Sequence, residues 1–549
     1  MAASVPRGFA AAALALALLL SPAAAHAFCG FYVSGANDDL TNNATQVVLM
    51  RDGQRTVLSM QNDYQGPPED FALVIPVPVV LKKENVKTLP PEVFDKVDKM
   101  AAPRLVEYWE QDPCKNVGFG FGGLGMSGIG RGGGGMSFGS LGAGSVKVEA
   151  RFEVEEYEIV ILSASDSSGL DTWLRDNHYN IPKGAEPILR PYITQGMFFF
   201  VARVNAKKVA FKDGHAVLNP LRFHYDDKEF RLPVRLGLLN AHGPQDLVVH
   251  IIARDQRYEV ANYPNATIPT NIDVDPSVKG NFGGFYAALF DTTRQKHPRA
   301  VITEYAWAAN TCDPCPGPTL QPQDFLTLGA DALPGQPTSG LVLTRLHARY
   351  TADELTEDLV FKQAPPITGG REQLNENGQL EQGATAAEVN NFQGRYAIRH
   401  TWQGAIACDK YTRGNWGGLP DAPRPKAIPA RDTAYVVKRD AVSLPAVIRS
   451  HIPELGLTAA TTTRALIQGD RPTPAEPAPA PEPRPVEPPQ IDADAGASPA
   501  PPTTAAPPAA DAPTPAPGRD GCATAPGQPG GTGLTLLALG LGLAALRRH

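Results

Sequence analysis

The chain has 549 residues, of which 53 are Pro and 52 are Gly, about 19% together, against roughly 12% in average globular usage. With 42% apolar and 19% charged residues, most of it is neither fibrous nor disordered, so the surplus sits in particular stretches. Lys and Arg number 50 against 57 Asp and Glu, a net −7 with no long basic run, which argues against nucleic acid as a partner.

Residues 1–27 read as a secretory signal peptide. Arg7 supplies the basic start, Phe9 to Leu20 an apolar run, and Ala25-His26-Ala27 the small-x-small site for signal peptidase, so the mature chain is expected to begin at Phe28. An apolar run of that length falls short of a bilayer span. Cys29 lies beside the cut, but bulky Phe28 does not fit a lipidation site.

From Phe28 onward the pattern is mostly strands. Thr45 to Arg51 and Arg55 to Gln61 flank Asp52-Gly53-Gln54, a hairpin signal because Gly accepts positive φ. Phe71 to Val80 is apolar but broken by Pro76 and Pro78; each removes a ladder donor, which predicts an edge strand or extended segment rather than a central strand. A helix is predicted from Pro90-Pro91 to about Lys99, with Val93, Phe94 and Val97 on its apolar face. Residues 118–145 hold 14 Gly in 28 positions without periodicity, a disordered, Gly-rich flexible insert.

Val146 to Val154 alternates strictly and the parity then shifts, predicting a strand followed by a bulge near Glu155-Glu156. Asp166 to Asn177 reads as a short helix that buries Leu170, Trp173 and Leu174. Further strands are expected at Phe198 to Val204, Phe230 to Leu238, Leu247 to Ala253, Ala300 to Ala306 and Val342 to Tyr350. In the last, Arg345, His347 and Arg349 share one face, and Thr344, Leu346 and Ala348 the other. Thr351 and Glu354 stand at capping-box spacing and open a predicted helix toward Phe361. Many strands, few helices and no βα alternation give an α+β body over 28–468, with antiparallel sheets and a few short helices.

Residues 469–520 form a Pro/Ala-rich linker, with 17 Pro in the 46 positions of 472–517. Such a run packs no core and serves as an extended, disordered tether. Residues 521–549 carry Gly521-Cys522, a spacer, the apolar run Leu534 to Leu546, and Arg547-Arg548; the arginines would keep the helix end cytoplasmic. This order resembles the myxobacterial (MYXO-CTERM-type) C-terminal sorting tail. The resemblance implies that a short transmembrane helix holds the chain in the membrane until a sorting protease of the envelope cuts near Gly521 and Cys522. The basic end departs from the pattern in being short, two Arg and a His. A plain C-terminal anchor is the alternative.

Four blocks of the body carry a second resemblance. They are Phe28-Cys29-Gly30-Phe31-Tyr32-Val33, the run Gln46 to Tyr64 continuing into Gly66 to Phe71, Cys312-Asp313-Pro314-Cys315, and Thr344-Arg345-Leu346-His347. Together they resemble the exported bacterial family catalogued as domain of unknown function 2330, over residues 28 to about 450. The resemblance brings no activity with it.

An exported chain meets an oxidising compartment, where cysteines pair. Cys312 and Cys315 are expected to close a structural disulfide across CDPC. Pro316 and Pro318 follow at once and spoil the helix start that a redox-active CxxC needs. Of Cys29, Cys114 and Cys408 one thiol is left over, and Cys29–Cys114, closing the shortest loop, is the preferred pair. No second CxxC or paired His stands at ligand spacing, so neither a metal nor a cofactor is expected.

Gly118-x-Gly120-x-x-Gly123 and Gly135-Met136-Ser137-Phe138-Gly139 match the dinucleotide and nucleophile-elbow patterns. Both lie in the insert, without the strand and helix those motifs require. His215 and His224 near Asp226-Asp227, and Asp273-x-Asp275, fit no common ligand spacing. Arg345, His347 and Arg349 suit a carboxylate-binding groove or, more commonly, a solvated or internally paired strand face. No catalytic residue stands out. The reading is an exported, surface-anchored envelope protein acting as a binding or structural module. An exported hydrolase with dispersed catalytic residues, or a thiol oxidoreductase using CDPC, is the alternative.

Overall fold

The computed structural model describes residues 31–33, 41–65, 72–115, 146–371 apart from 178, 180, 182, 183, 213, 214, 241 and 242, then 381, 383–419, 427–429 and 442–458. The expected signal peptide, Cys29, the Gly-rich residues 118–145, the Pro-rich residues 469–520 and Gly521-Cys522 with the residues after them lie outside the described residues.

Gly53 takes φ +56°, and around that turn Thr41–Asp52 pairs antiparallel with Arg55–Gln65. The hairpin lies inside an 11-stranded mixed sheet, with strands paired on both of its sides. On one side Thr41–Asp52 runs parallel to Gln245–Arg254, which pairs antiparallel with Leu341–Tyr350, and that strand with Val301–Ala308. On the other side Arg55–Gln65 pairs with Leu221–Asp226. Val47, Val48, Leu49 and Met50 are all fully buried, as in a sheet covered on both faces.

A 5-stranded sheet covers one face, ordered Phe31–Val33, Ala72–Val77, Phe198–Val204, Tyr157–Ala164, Val146–Val154. Its Leu73, Ile75, Ile159, Ile161 and Phe200 share a core with Val47, Leu49, Leu58, Val249 and Ile251. Helices Ser167–Asp176 and Ala185–Thr194 cover its outer side through Leu170, Leu174, Leu189 and Tyr192. The other face of the large sheet carries helices Glu92–Ala101 and Pro322–Leu328. Beside them lie helix Phe282–Lys296 and strand Arg395–His400. The order is helix, sheet, sheet, helix, an α+β fold whose sheets are mixed as well as antiparallel. Among the described residues no helix is long and apolar enough to cross a membrane.

Several local expectations change. Ala72–Val77 lies between two strands rather than at an edge. Its neighbour Phe31–Val33 reaches only Ala72 to Val74, so one flank of Pro76 needs no ladder donor. Glu155-Glu156 is a hairpin turn, with Glu155 at φ +46°, and the register slip lies at Val148/Ala150 instead. In 230–238 only Arg231–Leu232 is strand; past Pro233 the chain coils into a 3-10 helix, Arg235–Asn240. Thr351 N and Oγ1 do donate to Glu354 Oε2, at 2.9 and 3.2 Å, but no helix follows. Leu359–Ala364 is drawn into pairing with Arg257–Val260, and tertiary pairing outweighs the local start signal.

Cys114 is bonded to Cys408, which replaces the expected Cys29–Cys114 pair. Strand Arg104–Glu110 delivers Cys114 to this loop, where Thr412 N donates to Pro113 O and Gln111 N to Asn415 O. Strand pairing, not the shortest loop, sets which cysteines meet.

Gly370 sits at φ +73°, and a Cβ there would fall 1.9 Å from the Gln393 carbonyl oxygen. Backbone cannot swing aside as a side chain can. Gly370→Ala is therefore expected to destabilise the fold by about 3 kcal/mol or more, read as a lower urea midpoint; an unchanged midpoint would contradict this close approach.

Candidate functional site

On the helix-covered face of the large sheet, strand alternation sets Asp246, Val248 and His250 opposite Arg349, His347 and Arg345. Glu304 joins them through a bulge. The register of Val301–Ala308 slips between Thr303 and Tyr305, which leaves Glu304 as the extra, re-aimed residue. Asp98 comes from helix Glu92–Ala101 and Tyr286 from Phe282–Lys296. Apart from Arg349 all of these side chains are buried.

They form one chain of contacts. Asp98 pairs with Arg345, and Arg345 Nε donates to Glu304 Oε2 at 2.6 Å. Glu304 Oε1 faces His347 Nδ1 at 2.7 Å, and His347 Nε2 faces Asp246 Oδ1 at 3.0 Å. Asp246 in turn pairs with Arg349. Both ring nitrogens of His347 meet carboxylates, so both donate and the ring is an imidazolium. The signs then alternate along the six groups and cancel. Phe290 stacks on His347 with centroids 4.0 Å apart, and Tyr286 donates its hydroxyl to Glu304. His250 is the converse case. Its Nε2 lies 3.1 Å from an Arg345 nitrogen that can only donate, so it accepts and the ring stays neutral.

The electrostatics follow from this geometry. Burial opposes ionisation of Glu304, but His347 and Arg345 outweigh it and hold the carboxyl down at about 2. Burial also disfavours a charged His347, yet Glu304 and Asp246 raise its pKa above the ordinary value. His250, buried beside Arg345, is driven well below 6.5. A Glu–His–Asp array can relay protons only where a reacting atom reaches it. Here Glu304, His347 and Asp246 engage one another, with side chains at most 3% exposed. The array works as a clamp between the sheet and its covering helices.

Cys312 and Cys315 are disulfide-bonded. Cys312 is buried and the next helix starts only at Pro322, so the dipole that would acidify a leading thiol is missing. The loop is fastened by backbone carbonyls. Buried Arg104 donates to Met100 O at 2.6 Å and Pro314 O at 3.0 Å, and Gln393 Nε2 donates to Asp313 O at 2.5 Å.

The other residues singled out in the sequence do not assemble. His224 is half-buried against Asn85 at 3.1 Å, and His215 belongs to a separate short strand, His215–Val217. Asp273 holds Arg399 at 2.9 Å, and Asp275 accepts from Ser277 N at 3.0 Å. Among the described residues no group of three or more candidate ligands could hold a metal ion. The two glycine motifs lie outside the described residues.

A solvent-open groove of about 530 Å³ lies between the end of helix Ala185–Thr194 and residues 357–360, lined by Tyr192, Gln195, Arg231, Arg235 and Asp358 with their neighbours. Asp358 Oδ1 accepts from Tyr192 OH, Val234 N and Arg235 N at 2.7, 2.9 and 3.2 Å. Burial still raises its pKa. No motif marks these residues, since they come from separate segments that only the fold brings to one concavity.

Residues 22–362, more than half the chain, match the family described as "Uncharacterized protein conserved in bacteria (DUF2330)". The matched stretch contains the charged chain, the CDPC loop and the groove, and stops short of residue 450 and of Cys408. No curated protein and no solved structure matches the chain.

The raised pKa of His347 means that its contribution to stability is complete below pH 6.5 and fades as pH rises through the folded value. The lowered pKa of Glu304 means that its contribution is complete above pH 4.5 and fades as pH falls toward 2. Calorimetry is expected to show the highest melting midpoint between these limits, and His347→Gln to flatten the alkaline slope and, because His347 helps hold Glu304 down, to weaken the acid one as well. Arg345→Met strands two buried carboxylates and is expected to cost about 3–5 kcal/mol; a near-neutral effect would refute the clamp.

Proposed function

The chain belongs to the bacterial family DUF2330, and we propose that it is an exported envelope protein, anchored through its C-terminal tail, whose body binds a partner rather than turning over a substrate. Disulfide pairing carries this reading. Cys114–Cys408 and Cys312–Cys315 are both bonded, and such bonds persist in oxidising compartments and are rare in the cytosol. The signal-peptide pattern of 1–27 and the Gly521-Cys522 tail support it from the ends. Signal peptidase would act first; the short apolar helix would hold the chain in the membrane until the sorting protease cuts at the tail.

The binding part of the reading rests on where polar groups remain available. The carboxylates and imidazoles a hydrolase would recruit, Glu304, Asp246, His347 and His250, are sunk in the clamp. The groove beside Asp358 is open to solvent and polar. A recognition surface of this kind suits a module displayed on a long tether.

Cell fractionation with external protease tests the location. The full chain is expected at the surface, and Cys522→Ala is expected to leave it in the membrane fraction; unchanged surface display would overturn the sorting role of the tail. Cys114→Ser is expected to lower stability by about 2–4 kcal/mol, with loss of the Cys408-linked peptide in non-reducing maps. A fully reduced protein recovered from the cytoplasm would overturn export.

A further inference from the structure

In the groove, opposite charges stand near one another without cancelling. The Arg235 side chain makes no hydrogen bond or salt bridge among the described residues, although its charge is felt by Asp358 and Tyr192. Asp358 is fixed through Oδ1 by three donors, while its Oδ2 has no partner among the described residues. Arg231 is occupied, donating to Gln195 Oε1 at 2.6 Å and pairing with Glu229 at 2.9 Å. The groove therefore offers an available guanidinium and, on Asp358, an available carboxylate oxygen on a preset frame. The Glu357 carboxylate on the same lining is more exposed and, among the described residues, is held only by Asn262 Nδ2 at 3.3 Å.

The charge balance narrows the ligand. Arg231 and Arg235 face Glu229, Glu357 and Asp358 along the lining, a net −1. A simple anion would enter a negative groove, and a simple cation would leave Arg235 unsatisfied. A molecule carrying both charges satisfies both groups. We propose that the groove binds a zwitterionic amino acid or short peptide, its carboxylate on Arg235 and its ammonium on Asp358 Oδ2. Arg meets a carboxylate with two parallel N–H donors, and the half-buried setting strengthens both contacts over those in water. Pro191 and Val360 supply apolar wall for a small side chain. This assignment rests on the binding-module reading above and gives it a ligand class.

Titration calorimetry on the full chain tests it with dialanine, N-acetyl-dialanine, dialanine amide, maltose and inorganic phosphate. Dialanine is expected to bind, and blocking either end to weaken it roughly tenfold or more. Arg235→Gln is expected to bind dialanine and its amide alike, and Asp358→Asn to bind dialanine and its N-acetyl form alike. Arg235 is half-buried and its side chain holds no partner among the described residues, so its variant is expected to keep the parent melting midpoint, and it decides the matter if Asp358→Asn fails to fold. Equal binding of blocked and free dialanine, or a full response from Arg235→Gln, overturns the assignment. Maltose or phosphate binding that Arg235→Gln abolishes, with dialanine silent, overturns the ligand class and keeps the binding module. Silence of every probe overturns the ligand assignment, while the location of the protein stands or falls on fractionation alone.

Discussion

Arg345 lies between two buried carboxylates, Asp98 from a covering helix and Glu304 from a bulged strand, and the packing on that side of the large sheet depends on this bridge. Removing such ions from water costs several kcal/mol each, and mutual attraction returns this only when every partner is in place. The alternation from Asp98 to Arg349 meets that condition by leaving no charge beside its like. Its value lies in specification. An apolar face could slide over the sheet, whereas Asp98 and Tyr286 fix where helices Glu92–Ala101 and Phe282–Lys296 come to rest.

The clamp divides the helix-covered face into two apolar patches. One gathers Val93, Phe94, Leu328 and Leu343; the other gathers Phe285, Tyr286, Ile302 and Tyr396. Arg104 works at a neighbouring border, joining the C-terminal carbonyls of a helix to the CDPC loop. That a cation sits at a helix C-terminus agrees with the helix dipole. Its burial pulls its pKa down to about 10. The groove belongs to the other side of the molecule, where Tyr192 packs in the core beneath the outer helices and donates its hydroxyl to Asp358. Chemistry that stabilises and chemistry that faces solvent are thus kept apart, the first closed on itself and the second left open.

Much of the framework was legible residue by residue. The Asp52-Gly53-Gln54 hairpin, the helix after Pro90-Pro91 and the alternation of Leu341–Tyr350 follow from turn chemistry and side-chain period, which are local. The same local rules misjudged Pro76, the Glu155-Glu156 turn and the Thr351 box, because each outcome hangs on a neighbouring strand that local patterning does not reveal. The face bearing Arg345, His347 and Arg349 was correctly grouped. Of the two faces such an alternation allows, solvated or internally paired, the structure holds the paired one. Glu304 carried no signal at all; a bulge one residue long turns it inward.

The sequence by itself determined which residues share a face, where the tight hairpin turns, and that CDPC lacks a helix to activate it. These are properties of period two, of positive φ at Gly53, and of proline after Cys315. Only the tertiary structure decided that both faces of Leu341–Tyr350 are covered, that Cys114 meets Cys408, and that Arg235 and Asp358 share a groove. Those outcomes depend on which layers land on one another. Such contacts join segments far apart in the chain, and no short-range pattern encodes them.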